Sequence, residues 1–265
     1  MGLGMSIKSH SIDKNNIVDI GSLDGLKLWL KLGSAVRESD GSQAESGDLV
    51  KFWDDSSGQS NDFTQTSSSR QPRYIAGSFS GLLFDGSTVT SQVDRMSCSS
   101  TISAEDFTLI VAMDLTNASP DNEMFISEFG NTNSRISLLQ GSDGDRIQIR
   151  FDDGTTEEVC DLEDLSKDIP TTPFLLTIKR DTSTSNNVKV RFDRQDVTDL
   201  SDTDTGTDAN NDSAMIDFIF DTIGVGGANS LEYQGFIAEV VFFDKALGEL
   251  TLARVEKDIM DRNGL

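Results

Sequence analysis

The chain has 265 residues, 36% of them hydrophobic, enough to bury one sizeable core, and a β-sandwich of this length commonly folds as a single domain. Acids outnumber bases by 45 to 22 and are spread along the whole sequence, so the net charge of −23 argues against nucleic acid, whose phosphates need local positive potential. No window approaches the roughly 20 apolar residues that cross a bilayer, and Met1–Lys8 lacks the apolar centre of a signal peptide, so the expectation is synthesis in a cytoplasm and no membrane partner.

Residues 1–25 contain Ile7, Ile12, Ile17, Val18 and Ile20 in no regular period and hold no aromatic residue. They read as an N-terminal arm or linker, leaving 26–265 as the domain. The basic groups Lys8, His10 and Lys14 would let this arm dock the chain to a partner or to copies of itself.

Leu26, Leu28, Leu30 and Leu32 alternate with Lys27, Trp29 and Lys31, the period of a half-buried strand. Ser34 to Asp48 reads as a loop. Val50–Trp53 starts a short strand that runs into Asp54-Asp55-Ser56-Ser57-Gly58, with Asn61 and Asp62 beyond, a dense turn signal. Thr64 to Arg70 is polar and read as loose, and Gly81–Phe84 is a strand stopped by Asp85-Gly86.

From Phe107 the strand patterns recur regularly: 107–115, 124–129, 135–139, 146–151, 174–178 and 188–192. Asn, Asp, Gly and Ser clusters separate them. Ile216 to Phe220 and Thr222 to Val225 read as two further strands after a polar loop. Phe236 to Phe243 is aromatic and β-branched with only Glu239 polar, which predicts a strand covered on both faces. Leu252, Val255 and Ile259 then form one stripe of a short amphipathic helix, closed by Gly264. Many short strands and one helix predict an all-β, two-sheet antiparallel sandwich. Cys98 and Cys160 are too few and too far apart for a disulfide framework and read as buried thiols.

Several pieces, in order, resemble the laminin-G-like branch of the concanavalin A-like lectin/glucanase jelly roll. Leu26–Leu30 is similar to its opening strand, and Trp53, Asp55, Ser57, Gly58, Asn61 and Asp62 match its W-x-D-x-S-G…N-D turn. Leu83–Gly86 resembles its F-D-G strand end, and Gly235–Val240 with the terminal helix resembles its closing G-x-I-A-E-V element. The resemblance implies a jelly-roll sandwich that binds ligands, when it binds any, on rim loops or a concave face. Fold alone does not fix function, because this jelly roll hosts enzymes, lectins and inert structural parts.

Its glycan-cleaving members carry carboxylates that alternate on one strand, facing one side of the sugar. The nearest match here is Glu158, Asp161 and Glu163, where the spacing sets Glu158 on the face opposite the other two. No catalytic residue is assigned, and the chain is expected not to be an enzyme. No cofactor is expected beyond a possible calcium ion, for which Asp202, Asp204 and Asp208 alternate on a loop as oxygen ligands would, although a solvated acidic loop explains them too. Asp54 and Asp55 raise the same question, against the reading that they cap their own turn.

Stand-alone domains of this branch resemble those of tailed-phage structural proteins. The expectation is therefore a non-enzymatic virion component assembled in the host cytoplasm and displayed on the particle surface, as head decoration, fibre or tail. Its partners would be other virion proteins or copies of itself, with glycans in a second role. A carbohydrate-binding lectin or adhesin is the alternative, and a glycoside hydrolase comes third.

Overall fold

A computed structural model describes residues 18–33, 36–85, 93–115, 123–128, 134–139, 146–152, 155, 157–162, 165, 167–184, 188–197, 216–225 and 233–265. The strands are β1 (Leu26–Lys31), β2 (Val36–Arg37), β3 (Phe52–Trp53), β4 (Phe63–Thr64), β5 (Arg73–Ile75), β6 (Gly81–Phe84), β7 (Met96–Ala104), β8 (Phe107–Asp114), β9 (Glu123–Ser127), β10 (Arg135–Leu139), β11 (Arg146–Asp152), β12 (Glu157–Leu162), β13 (Phe174–Arg180), β14 (Val188–Phe192), β15 (Gln195–Asp196), β16 (Phe218–Ile223) and β17 (Gly235–Phe243). One helix, α1 (Glu249–Asn263), follows. Among the described residues no helix is long and apolar enough to cross a membrane.

The strands form two antiparallel sheets, as a jelly-roll sandwich requires. The eight-stranded sheet runs β15-β14-β13-β8-β17-β6-β5, and β1 continues the β6 side by pairing with the far end of β17. The nine-stranded sheet runs β12-β11-β10-β9-β16-β7-β4-β3-β2. Between them lies an aromatic core in which Phe107 stacks on Phe242 at 5.7 Å and Phe220 meets Phe242 edge-on at 5.0 Å. Trp53 is fully buried there, and its indole N–H donates to the Lys31 carbonyl at 2.9 Å.

A second apolar layer explains why the β17 sequence is polar at only one position. Ala238, Val241 and Phe243 point away from the main core and pack with Ile110, Ala112 and Leu175 against Leu252, Val255 and Ile259 of α1. The helix therefore seals the outer face of the eight-stranded sheet. Gly264 ends it in the left-handed conformation at φ 73°, and its N–H donates to the Met260 carbonyl.

Several expectations need correction. Ile20 is 1% exposed and belongs to this second layer, with Val18 and Leu23 packed around it, so the last part of the expected 1–25 arm is docked against the domain; residues 1–17 lie outside the described part. Val36-Arg37, inside the expected loop 34–48, is an edge strand paired with β3. Thr64–Arg70 is not loose. It starts in β4 and ends in a 3-10 turn at Ser68–Arg70, and it is pinned where the buried Gln65 amide donates to the Arg95 carbonyl at 3.0 Å. The two strands expected over 216–225 are one strand, interrupted by an irregular register between Phe220 and Thr222. The Ser-rich β7 has too little apolar alternation to be read from sequence, and it is held by its partners β16 and β4.

Candidate functional site

The turn singled out in the sequence is an internal clamp. Asp55 Oδ1 accepts from the Trp29 and Ser57 backbone N–H groups at 2.9 and 2.8 Å, and its Oδ2 accepts from the Ser57 hydroxyl and the Asn61 N–H at 2.6 and 3.0 Å. The Asn61 amide donates to the Lys27 carbonyl at 2.8 Å, which ties the turn to β1. Asp62 Oδ1 accepts the Asp55 N–H at 2.8 Å. Asp54 takes the Arg37 guanidinium in a two-point pair at 2.7 and 2.6 Å. Both aspartates are thus used by the fold itself.

The segment of Glu158 and Asp161 is a strand, β12, with the Asp161 Cα opposite Gln148 and the Glu158 Cα opposite Phe151. Glu163 lies outside the described residues, as do Asp202, Asp204 and Asp208. Among the described residues, no group of three or more His, Cys, Asp or Glu is placed to hold a metal ion. Cys98 and Cys160 are both buried thiols outside any disulfide, as expected, and burial pushes the Cys98 thiol above its ordinary pKa.

The eight-stranded sheet also holds a latch. Glu239, 2% exposed in mid-β17, collects four donors: Trp29 Nε1 at 2.7 Å and Arg262 Nη2 at 2.8 Å on Oε1, and Arg262 Nε at 3.3 Å and Asn263 Nδ2 at 2.8 Å on Oε2. Lys31 sits over the Trp29 ring with its Nζ 3.8 Å from the centroid. A cleft of about 400 Å³ opens beside this group, lined by Lys31, Ser78, Ser80 and the last turn of α1. At the other end of the helix Glu249 bonds Lys179 and Arg191, which together hold its pKa at about 2. Glu256, fully buried one layer deeper, faces Arg191 at 3.6 Å, and burial raises its pKa. These groups fasten α1 to its sheet.

The other sheet differs. Among the described residues no helix covers the outer face of the nine-stranded sheet, and strand register builds one continuous row across it. Arg37 pairs with Phe52, Phe52 with Thr64, and Thr64 with Ser97. Ser97 pairs with Thr222, Thr222 with Ser127, and Ser127 with Arg135. Arg135 pairs with Arg150, and Arg150 with Val159. Neighbouring strands lie roughly 4.8 Å apart, so the nine positions span about 38 Å. The inward neighbours, Val36, Trp53, Phe63, Ile136, Ile149 and Cys160, belong to the main core, which fixes the row on the outer side.

The row has three parts. At one end Arg37 stacks over Phe52, 4.8 Å from the ring centroid. In the middle are four hydroxyl residues. Ser97 and Thr222 hydrogen-bond to each other at 3.0 Å, while Thr222 and Ser127 are fully buried and form the floor. At the far end Arg135 and Arg150 are half-buried and directly opposite one another. None of the nine positions carries a carboxylate, in a chain with 45 acids. The polar half of the alternation Arg146-Ile147-Gln148-Ile149-Arg150 was visible in the sequence, but nothing there showed which strands would lie beside it.

No family model matches the sequence, and no curated protein matches it. The likenesses found are structural. They include a heptameric SAP-like pentraxin from Limulus polyphemus, 12% identical over 66% of this chain and 80% of that one, with a TM-score of 0.47. Domain 4 of AbnA, an extracellular arabinanase from Geobacillus stearothermophilus in complex with arabinotriose, is 17% identical over 83% and 100%, also at 0.47. The CBM40 domain of the Ruminococcus gnavus IT-sialidase, bound to α2,3 sialyllactose, is 14% identical over 58% and 83%, at 0.37.

Proposed function

We propose that this chain is a non-catalytic recognition module that binds glycans on the outer face of its nine-stranded sheet. The observation that carries the reading is the row from Arg37 to Val159, in which Phe52, Thr64, Ser97, Arg135, Arg150 and Val159 are only part-buried while Thr222 and Ser127 between them are fully buried. The core of a stable protein interface is richer in apolar side chains than this, and a polynucleotide is repelled by the net charge of −23. An uncharged or weakly charged chain of hydroxyls meets neither objection, because each hydroxyl both donates and accepts.

The test is a glycan array probed with the full chain. Binding to at least one glycan class is expected, weakened by Gln148→Ala and Thr64→Ala on the face and unchanged by Lys257→Ala on the distant helix. Reducing ends released from a bound glycan would make the chain an enzyme and overturn the non-catalytic reading. Carriage on a tailed-phage particle is proposed on the sequence resemblance alone, and mass spectrometry of purified particles tests it.

A further inference from the structure

We propose that a cleft at the seam between the two sheets is the subsite for one uncharged sugar residue. This rests on the glycan reading above and narrows it to a place and a ligand class. Residues 47–51 cross from one sheet edge to the other. Beside β5, the Gly47 and Val50 N–H groups donate to the Tyr74 and Pro72 carbonyls at 2.7 and 2.9 Å. The Lys51 N–H then donates to the Arg37 carbonyl of β2 at 3.0 Å. A cleft of about 430 Å³ opens along this crossing, a volume within the range of small-molecule sites. It adjoins the row described above. Thr66 on its wall is two residues beyond Thr64, with the buried Gln65 between them keeping the alternation. Lys51, also on the wall, sets its Nζ 5.1 Å from the Phe52 ring centroid.

The walls carry donors and acceptors in balanced charge. Glu38 and Asp48 accept while Lys51 and Arg73 donate, so these four side chains sum to zero. Their internal bonds orient them without exhausting them. Glu38 takes the Ser42 hydroxyl at 3.3 Å, Asp48 takes the Glu45 N–H at 2.7 Å, and Arg73 bonds the Gly47 carbonyl. A carboxylate offers about four acceptor sites and a guanidinium several N–H groups, so each retains capacity. Gln71 supplies a further acceptor. It is 6% exposed, its amide nitrogen donates to the Gln65 carbonyl at 2.8 Å, and among the described residues its oxygen receives no bond. A sugar hydroxyl donates and accepts at one atom, so neighbouring hydroxyls of a single ring satisfy both kinds of group. Charges within a Debye length, about 8 Å at physiological salt, act on a bound ligand almost unscreened. An added carboxylate would meet Glu38 and Asp48 there, in the field of a chain carrying −23. A neutral ring avoids that repulsion.

The experiment is titration calorimetry with cellotriose, maltotriose and mannotriose, each paired with a counterpart whose non-reducing end is a uronic acid. At least one neutral triose should bind, and at least tenfold more tightly than its acidic counterpart. Ser68 is exposed on the cleft wall, so Ser68→Trp sets an indole there and should weaken binding tenfold or more. Lys51→Ala should weaken it several-fold, and Lys257→Ala should leave it unchanged. Should Ser68→Trp melt early, Lys51→Ala and Thr66→Ala read the same cleft. If the cleft variants bind as the native chain does while Gln148→Ala on the row weakens binding, the cleft assignment falls and glycan binding stands. An acid-ended triose bound as tightly as its neutral form, or array glycans bound and no triose, overturns the neutral-sugar assignment alone. Binding to no triose and to no glycan on the array overturns both readings.

Discussion

Replacing Glu239 by alanine tests how the helix is tied to its sheet. The carboxylate is 2% exposed and accepts four hydrogen bonds, from Trp29, Arg262 twice, and Asn263. Removing one partner of a buried ion pair costs about 3–5 kcal/mol, because the other charge is left without compensation. The Arg262 side chain keeps 36% of its exposure and can turn to water, which places the expected loss near the lower limit, about 3 kcal/mol. For a domain of this size that corresponds to a fall in Tm of about 6–12 °C. Glu239→Gln preserves the shape and an acceptor for Trp29, so it should lose roughly half as much. Urea unfolding followed by the fluorescence of Trp29 and Trp53 measures both, and the double variant Glu239→Ala/Arg262→Ala should lose less than the sum of the single losses. A loss under about 0.5 kcal/mol for Glu239→Ala, the range of an ordinary surface change, would refute the latch.

Three further outcomes follow from the same geometry. Asp94 is buried beside Asp85, and burial, with the Asp85 charge second among the raising effects, lifts its pKa from 3.8 to about 8. The folded chain then holds a proton that the unfolded chain releases, so this contribution to stability is complete below pH 3.8 and is lost as pH rises to about 8. Melting curves should show that decline in the native chain, flattened in Asp94→Asn, which keeps an acceptor for the Asp85 N–H; an identical decline in the variant refutes the assignment. Gly235→Ala would set a Cβ 2.2 Å from the Asp114 carbonyl oxygen and 2.8 Å from the Tyr233 hydroxyl, so it should destabilise by more than 3 kcal/mol or fail to fold, read by circular dichroism and solubility. Asp55→Ala removes four acceptor contacts and should cost about 2–3 kcal/mol equally with and without calcium, whereas a calcium-dependent loss would make the turn a metal site.

What the sequence disclosed follows the physics of burial. β17 and α1 were legible because apolar positions at periods 2 and 3.6 are packing requirements, and Leu252, Val255 and Ile259 pack in the same layer as Ala238, Val241 and Phe243 of β17. The Trp53–Asp62 turn was legible because its polar groups satisfy backbone donors at fixed offsets. Glu239 stood out as polar in an apolar run, but its partners come from 23 or more positions away, and no local rule names them. The edge strand at Val36-Arg37 and the Ser-rich β7 were missed because neighbouring strands, rather than local preference, impose their conformation.

The candidate site was hidden for a related reason. Its members come from nine strands, and an outward position can change without disturbing the core, so no motif marks it. Register alone brings the row together, and in a sheet with period 2 a slip of one residue turns every side chain to the other face. The irregularity in β16 shows this control at work. Phe218 and Phe220 face the core, and strict alternation would send Thr222 after them. The register shift between Phe220 and Thr222 reverses the parity, so Ile223 enters the core while Thr222 turns outward to meet Ser97 on one side and Ser127 on the other. A second shift, between Ile136 and Ser137, lies where β10 leaves its pairing of Arg135 with Ser127. The irregularity in β16 reads in sequence as a break between two strands, and in the folded sheet it sets Thr222 in the row between Ser97 and Ser127.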